Sequence, residues 1–380
     1  MIFLSLILTI FANMKKTRLV PALLCAAMLS QPLAAGDKGA LRVTPVAQDA
    51  DAANGGIVYA LPQTVLRIRL TAQVVVSSVG PFFQYSTRFL NLTDVVTENS
   101  TRWTLVGAEI ETTGRADFSR RYKVSAQEGG ALPKMSLTAD GVLLSVNADA
   151  VSADRAPEDC GTPSVAYATF AEVPLSQSVL SRTAKAAMAE ECAQTVYALR
   201  AARVGIVSGS ADARMADAGS MALALAEIDR LERQHVEMFA GRRDTLTVSR
   251  VVEVVPDYNG ASNVVPLRFS ATSGFADAMD LNGKPIYVDM EFDNSARVNE
   301  YAPGSKQRNN APLNGLFHIL PGNVNVRVMD RNILLAQKSV RCTQNGQVAC
   351  LPASQMGGSR IVLDAATGAI VSIAPIDTNK

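Results

Sequence analysis

Residues 64–76 read Thr-Val-Leu-Arg-Ile-Arg-Leu-Thr-Ala-Gln-Val-Val-Val, and this stretch decides the fold class. Apolar and polar side chains alternate over part of the stretch, and β-branched residues are frequent. Successive side chains of a strand point to opposite faces of its sheet, so the pattern is typical of a half-buried β-strand. The first structured region of the chain is therefore predicted to be a β-sheet.

The segments that follow predict more strands and one short helix. Gly80-Pro81 ends the first strand, and apolar residues at helical spacing predict a short helix over residues 82–90. Further strands are predicted at Thr101–Thr112, which carries the only tryptophan, at Tyr122–Ala126 and at Leu143–Val146.

The spacing of apolar residues becomes helical after residue 174. Apolar side chains recur about every 3.6 residues from Val179 to Leu199 and again from Met221 to Phe239. Gly241 provides a stop signal for the second segment. Because a glycine-containing loop separates the two segments, we predict a long αα-hairpin over residues 175–241.

β-Branched residues dominate again after residue 241, with strand-sized runs about ten residues apart and a final turn at Asp364–Gly368. The predicted fold class is α+β, with antiparallel, sandwich-like β regions that flank the long αα-hairpin. The predicted segments are a signal peptide (1–35), a flexible leader (36–55), a β-rich region with a short helix (56–147), a linker (148–174), the hairpin (175–241) and an antiparallel β domain (242–380).

The N-terminus resembles an export signal. Met14 is followed by Lys15 and Lys16, then by an apolar run from Leu19 to Leu29, and small residues end at Ala35. The run is too short to span a bilayer, which takes roughly 20 apolar residues, so no transmembrane anchor is predicted in the mature chain. Met14 is the predicted start of translation; the alternative is that residues 1–13 add a second apolar segment to one long hydrophobic hairpin. The expected location is the periplasm or the outer membrane.

The charge of the mature chain excludes one class of partner. Removal of residues 1–35 takes away three basic residues and no acidic ones, which changes the formal net charge from +1 to −2. No basic excess is left to neutralise a phosphate backbone, so no nucleic-acid partner is predicted.

Four cysteines follow residue 35, and an even number in an exported chain predicts disulfides. Cys342 and Cys350 flank Asn345-Gly346, a dipeptide typical of two-residue hairpin turns. Of the three possible pairings we therefore favour Cys342–Cys350 together with Cys160–Cys192. A zinc site would need closer spacing or a histidine nearby in the sequence, so no metal site is predicted.

Residues that could support catalysis are few. The chain has two histidines: His235 falls on the apolar stripe of the second predicted helix and His318 on a predicted strand, and both are interpreted as structural. Asp289, Glu291 and Asp293 alternate along one strand, so their carboxylates share a face. They could bind calcium or act in acid–base chemistry, but a solvated sheet face is the commoner role. No catalytic residue and no cofactor is assigned.

Aromatic residues cluster in the N-terminal region. We interpret the cluster as part of the hydrophobic core, because large aromatic side chains are mostly buried. The alternative is a groove that binds a glycan or a peptide. The residues are Tyr59, Phe82, Phe83, Tyr85, Phe89 and Trp103.

Several stretches taken together resemble the domain-of-unknown-function family 4831 (DUF4831), over about residues 55–375. The resemblance implies an exported protein of a Gram-negative envelope, from the Bacteroidetes, and it brings no activity, cofactor or assigned site. It rests on Val58–Ile68, Gly80–Leu90, Ser176–Arg203, Asp217–Gly241, Gly283–Tyr287 and Leu363–Ile370.

The lineage implied by the resemblance adds one hypothesis. Bacteria of that group attach O-glycans to Asp-Ser/Thr motifs that precede an apolar residue, and Asp244-Thr245-Leu246 is similar to that motif. Thr245 is therefore a candidate glycosylation site, and the alternative is an ordinary start of a strand.

Two functions are compatible with the sequence. The first is a non-enzymatic envelope module that binds a protein or glycan partner, because the chain is rich in predicted β structure and lacks a recognisable catalytic set. The second is a glycosidase-like hydrolase of envelope or dietary polymers that uses carboxylates such as Asp289 and Glu291. A deep pocket with convergent carboxylates would favour the hydrolase, and a flat acidic face would disfavour it.

Overall fold

Three antiparallel β-sheets and a pair of packed helices make up the described part of the chain. The structure is a computed structural model, and all the residues that it describes belong to one compact unit. The described residues are 41–46, 55–126, 131–150, 165–209, 218–257, 263–293 and 314–376.

The strands and helices of these residues have the following bounds. The strands are β1 (Leu41–Pro45), β2 (Ile57–Ser78), β3 (Ser100–Ala126), β4 (Met135–Leu137), β5 (Leu143–Val146), β6 (Arg242–Val254), β7 (Asn263–Ser270), β8 (Gly274–Asp277), β9 (Lys284–Phe292), β10 (Gly315–Asp330), β11 (Ile333–Pro352), β12 (Ser359–Leu363) and β13 (Ile370–Pro375). The helices are α1 (Ser86–Leu90), α2 (Gln177–Leu180), α3 (Lys185–Ser208), α4 (Ala218–Ala240) and α5 (Ala353–Gly358).

The first sheet has the strand order β1-β3-β2-β6. The alternation predicted for residues 64–76 is confirmed, because Leu66, Ile68 and Leu70 are fully buried whereas Arg67 and Arg69 on the other face are not. β3 runs without interruption through the two strands predicted at 101–112 and 122–126. Within the predicted flexible leader, residues 41–45 instead form β1, which pairs with the end of β3.

The other two sheets combine distant parts of the chain. The second sheet has the order β11-β10-β9-β7-β8, and the third has the order β13-β12-β5-β4. β12 pairs with β5, and β6 pairs with β2, so strands from the predicted C-terminal β domain complete sheets that begin before residue 147. The predicted start of the C-terminal β domain at residue 242 therefore does not coincide with a boundary between sheets.

The predicted hairpin turn at Asn345-Gly346 is wrong. Both residues lie inside β11, which stays paired with β10 on either side of them: Cys342 lies opposite Gly322, and Gln347 lies opposite Leu320. Four residues of β11 therefore face a single residue of β10. The turn signal produces a bulge in a continuing strand rather than a reversal of the chain.

Two hydrophobic cores join the three sheets. Buried residues of β2, such as Leu70 and Val74, pack in one cluster with Ile286, Val288 and Val326 of the second sheet. The second core lies among the third sheet, β1 and the ends of β2, β3, β10 and β11. Removing the apolar faces of all three sheets from water is the main stabilising term for this part of the molecule.

The helices pack on each other and on the N-terminal region. Arg200 of α3 lies 2.7 Å from Glu232 of α4, and the sulfur atoms of Cys192 and Met238 are 3.9 Å apart. The first predicted helix is interrupted, since α2 ends at Leu180 and α3 begins only at Lys185. The residues that connect α3 to α4 lie outside the described residues, so the predicted hairpin is supported only as two packed helices.

Several predictions fall on residues that the structure does not describe. The predicted signal peptide, Met14, Cys160 and most of the predicted linker lie outside the described ranges. Among the residues that are described, no helix is long and apolar enough to cross a membrane.

Candidate binding cleft

Both histidines are buried, which was predicted for His235 on the apolar stripe of its helix but not for His318, for which only an ordinary strand position was predicted. His235 is 3% exposed, and its Nδ1 lies 2.8 Å from the carbonyl oxygen of Leu231 in the preceding turn of α4. His318 is 8% exposed on β10, and burial lowers its pKa. Neither histidine lines the two clefts described below.

The carboxylates on β9 face an arginine of the neighbouring strand. Nη2 of Arg327 lies 2.5 Å from Oδ2 of Asp289 and 3.9 Å from Oε2 of Glu291. β9 ends at Phe292, although the N–H of Asp293 still donates a 3.1 Å hydrogen bond to the Asn323 carbonyl of β10. Among the described residues, no group of three or more His, Cys, Asp or Glu side chains is placed to hold a metal ion.

The predicted Cys342–Cys350 disulfide is wrong. Their partners on β10, Gly322 and Phe317, are five positions apart, which is roughly 16 Å at about 3.3 Å per residue, whereas a disulfide needs Cα atoms within about 7 Å. Cys192, Cys342 and Cys350 are all free thiols. Burial raises the pKa of Cys192 and of Cys350 to about 11, so neither is a ready nucleophile at neutral pH. The pairing proposed for Cys160 lies outside the described residues.

Three of the six aromatic residues in the predicted cluster are buried, each in a different core, namely Tyr59, Phe82 and Trp103, whereas Phe83, Tyr85 and Phe89 are half-buried. The rings of Tyr59 and Tyr122 stack with their centroids 5.8 Å apart, and those of Phe82 and Phe239 lie 5.5 Å apart. Trp103 is 5% exposed and joins the core between the first two sheets. None of the six aromatic residues lines the two clefts described below.

Thr245, the candidate glycosylation site, lies in β6 rather than in a loop. It pairs with Val75 of β2, and its side chain is exposed. The neighbouring Asp244 accepts a 2.9 Å hydrogen bond from Nε of Arg242. Access to the hydroxyl is thus open, and glycosylation itself stays a prediction.

A polar cleft of about 390 Å³ lies where the outer face of the first sheet meets turns of the third. β2, β3 and β6 provide its floor, the turn between β4 and β5 provides one wall, and the turn between β12 and β13 provides another. The residues that line it are Val65, Arg67, Thr113, Gly114, Arg115, Thr138, Ala139, Asp140, Glu253 and Ala365.

Glu253 links the two arginines of this cleft. Its Oε1 lies 3.1 Å from Nε of Arg67, and its Oε2 lies 2.6 Å from Nη2 of Arg115. The pairing follows from register, because Arg67 lies directly opposite Glu253 in the β2–β6 ladder. The Arg115 side chain is 52% exposed, so its guanidinium can still reach a ligand.

Asp140 holds the first wall against the floor. Its Oδ2 accepts a 2.8 Å hydrogen bond from the backbone N–H of Ala116, and its Oδ1 accepts one from the Thr138 hydroxyl. Burial raises the pKa of Asp140, but these hydrogen bonds and the charge of Arg115 outweigh it, so the pKa lies below its usual value. The carboxylate is therefore ionised at neutral pH.

The opposite wall is the Asp364–Gly368 turn, which is held by hydrogen bonds to Asp364 and packs closely against Gly114. Asp364 accepts hydrogen bonds from the N–H of Ala366 at 3.0 Å and from the hydroxyl of Thr367 at 2.7 Å. The turn lies so close to β3 that a Cβ atom on Gly114 would overlap the Ala365 carbonyl. Thr64 ties the turn to β2 through a 3.1 Å hydrogen bond to the Ala366 carbonyl.

A second cavity, of about 520 Å³, lies between β6 and the β7–β8 hairpin. Its charged residues include Arg250, Asp277 and Asp280. Asp280 accepts a hydrogen bond from the N–H of Asn282, which shapes the next turn. The first cleft is the better candidate site, since contacts from the first and third sheets position its charged groups.

The cleft is not recognisable from local sequence patterns. Its residues are spread from Val65 to Ala365, and Arg67 and Glu253 are 186 positions apart. The one local signal was the presence of Arg67 and Arg69 on the polar face of an otherwise apolar strand. That signal marks the outward face but does not tell which strands lie beside it.

A family model described as "Domain of unknown function (DUF4831)" matches residues 55–371 of the chain. Comparison with curated proteins and with solved structures found no match.

Proposed function

We propose that the chain, which belongs to the DUF4831 family, is an exported binding module of the cell envelope. In this proposal it is not an enzyme, and it binds a glycan in the polar cleft. The match covers every residue that lines the cleft, from Val65 to Ala365. The family description carries no activity, so the proposal rests on the chemistry of the cleft.

The observation that carries the proposal is the mixture of donors and acceptors around Glu253. Two guanidinium groups, two carboxylates and the Thr138 hydroxyl line one cleft, and their formal charges cancel. A sugar hydroxyl both donates and accepts hydrogen bonds, so it can use guanidinium donors and carboxylate acceptors side by side. A neutral, hydroxyl-rich ligand fits such a site better than an ion of either sign.

The size of the cleft limits the ligand. Sites for small molecules usually measure about 300–1,000 Å³, and this cleft, at about 390 Å³, lies near the lower end of that range. It would hold one or two sugar rings of a longer chain. Because floor and walls are built from paired strands and hydrogen-bonded turns, the site is preorganised and little ordering entropy is lost on binding.

A carboxylate-dependent hydrolase remains the alternative, with weaker support. Asp289 and Glu291 share the guanidinium of Arg327 on the face of a sheet, and neither lines the cleft. In the cleft, Glu253 is bonded to two arginines and Asp140 to Thr138 and Ala116. A general acid needs a raised pKa, and Asp140 has a lowered one.

The export part of the proposal has a direct test. We expect processing after Ala35, so that the mature protein begins at Gly36. The measurement is N-terminal sequencing and intact mass of the protein purified from a Gram-negative envelope fraction. A mature protein that keeps Lys15 and Lys16, or that stays in the cytosol, would contradict export.

Substitution Arg115→Ala should weaken glycan binding by at least tenfold, because it removes the more exposed donor group of the cleft. Isothermal titration with neutral malto-, cello- and manno-oligosaccharides of two to six units measures the dissociation constant. The same samples, assayed for new reducing ends, should show no hydrolysis.

Arg230→Ala is the matched control. Arg230 on α4 is 51% exposed and lies 2.6 Å from Glu227, which closely matches the exposure and pairing of Arg115. We expect this variant to bind like the wild type. Failure of every oligosaccharide to bind saturably, or equal affinity of wild type and Arg115→Ala, would refute the proposed site.

A further inference from the structure

β13 is an uncharged, apolar strand at the edge of the third sheet. Within the described residues it pairs only with β12, and residues 371–375 are exposed. Val371 is 67% exposed and Ile373 is 48% exposed. An apolar edge of this kind is a template for the addition of another strand.

The other edge strands have features that hinder pairing with an additional strand. The free edge of β1 is occupied by Asn314, whose amide bonds the N–H of Val43 at 2.9 Å and the carbonyl of Leu41 at 2.5 Å. β6 and β11 carry several charged residues, and β4 and β8 have only three and four residues. β13 alone among these edges is both uncharged and longer than five residues.

A bulge in β13 does not protect its edge. Leu363 of β12 pairs with Ile370 and Val362 pairs with Ser372, so Val371 is an extra residue in the ladder. Bulges often turn an edge away from further pairing. Here the extra residue is itself a β-branched apolar side chain that is two-thirds exposed, so the bulge enlarges the apolar surface at the edge.

We propose that β13 pairs antiparallel with β13 of a second copy of this chain, about a two-fold axis that passes through Ser372. In that register Val371 lies opposite Ile373 of the second copy, and the same pair repeats across the axis. Each exposed apolar residue thus meets an exposed apolar residue. No charge on either strand opposes the approach, and the two four-stranded sheets become one sheet of eight.

The dimer should be weak. A pair of six-residue strands gives an interface at the small end of the range for specific association, so we expect a dissociation constant of about 10–100 μM. Sedimentation equilibrium of the purified protein between about 1 and 500 μM covers that range. A protein that stays monomeric at 500 μM overturns the proposal.

The substitution Val371→Lys should raise the dissociation constant at least tenfold, because it puts a charge opposite Ile373 of the second copy. Since Val371 is exposed, the fold should tolerate the change, and circular dichroism checks this. Leu223→Lys is the matched control: Leu223 is 75% exposed on α4, away from the edge, and should leave dimerisation unchanged. Equal dissociation constants for wild type and Val371→Lys overturn the proposal.

A cross-link tests the register. A residue on the two-fold axis of an antiparallel pair faces its own copy at a Cα separation of about 4.5–5.5 Å, which suits a disulfide. Ser372→Cys should therefore form a covalent dimer under mild oxidation much faster than Leu223→Cys, with wild type as the background for the native thiols. A covalent dimer that forms no faster in Ser372→Cys than in Leu223→Cys overturns the register. Neither readout depends on glycan binding, so this proposal and the proposed function fail separately.

Discussion

Gly114→Ala should destabilise the protein by about 2–3 kcal/mol and abolish ligand binding in the cleft. The added Cβ would overlap the carbonyl oxygen of Ala365, and it would lie 2.8 Å from the Ala365 carbonyl carbon and 3.0 Å from Cα of Ala366. All three are backbone atoms, so the Asp364–Gly368 turn must move as a unit. Overpacking of this kind typically costs about 1–3 kcal/mol. Urea unfolding gives the free energy of unfolding, and titration with the oligosaccharides gives the affinity.

Gly107→Ala provides the matched control in the same strand. A Cβ built on Gly107 has no neighbour within 4 Å, so the substitution should change the free energy of unfolding by less than about 1 kcal/mol. If Gly114→Ala and Gly107→Ala have equal stability and both bind ligand, the turn does not form the cleft wall.

Local patterns predicted the parts of the fold that depend on local physics. The alternation in residues 64–76 identified β2 and its buried face, since period-2 burial of Leu66, Ile68 and Leu70 is a property of a strand by itself. The Asp364–Gly368 turn was predicted for a similar reason. Asp364 bonds the backbone N–H of Ala366 two residues on, so the turn carries its own stabilising contacts.

The error at Asn345-Gly346 shows where local signals fail. Asn-Gly favours a two-residue turn, but the flanking residues are held by partners distant in sequence. Thr343 accepts a 2.8 Å hydrogen bond from the N–H of Thr64, and Gln344 donates a 2.8 Å bond to the Thr64 carbonyl. These buried bonds, together with pairing to β10 on both sides, outweigh a turn preference of small magnitude. The false hairpin also led to the false disulfide.

The candidate site could not be predicted from the sequence for a different reason. Arg67 and Glu253 meet because β6 pairs with β2 in one particular register, and a shift of β6 by one residue would move Glu253 to the face of the sheet opposite Arg67. That register is set by burial of the inward residues along the whole ladder, such as Leu70 of β2 and Val248 of β6. The neighbours of an outward polar residue such as Arg67 are therefore determined by this register and not by residues close to it in the sequence.

A buried ion pair in β3 gives the second large effect: Asp117→Ala should lower the free energy of unfolding by about 3 kcal/mol. Asp117 Oδ2 lies 2.7 Å from Nε of Arg120, and the two side chains are only 11% and 8% exposed. The pair sits where the β2–β3 ladder shifts register, between Ala60 and Leu61, and Asp117 also accepts hydrogen bonds from Ser119. Removal of one partner of a buried pair typically costs about 3–5 kcal/mol, since the other charge stays buried.

Asp94→Ala is the control for the loss of an aspartate from an ion pair. Asp94 lies 2.7 Å from Arg243, but its side chain is 83% exposed and the pair is screened by water, so we expect little change in the free energy of unfolding. The double variant Asp117→Ala/Arg120→Met removes the buried charge as well, so it should be more stable than Asp117→Ala alone. Urea denaturation at pH 7 measures all four proteins. Equal losses for Asp117→Ala and Asp94→Ala would show that the register shift in β3 is held by its backbone pairing, without the ion pair.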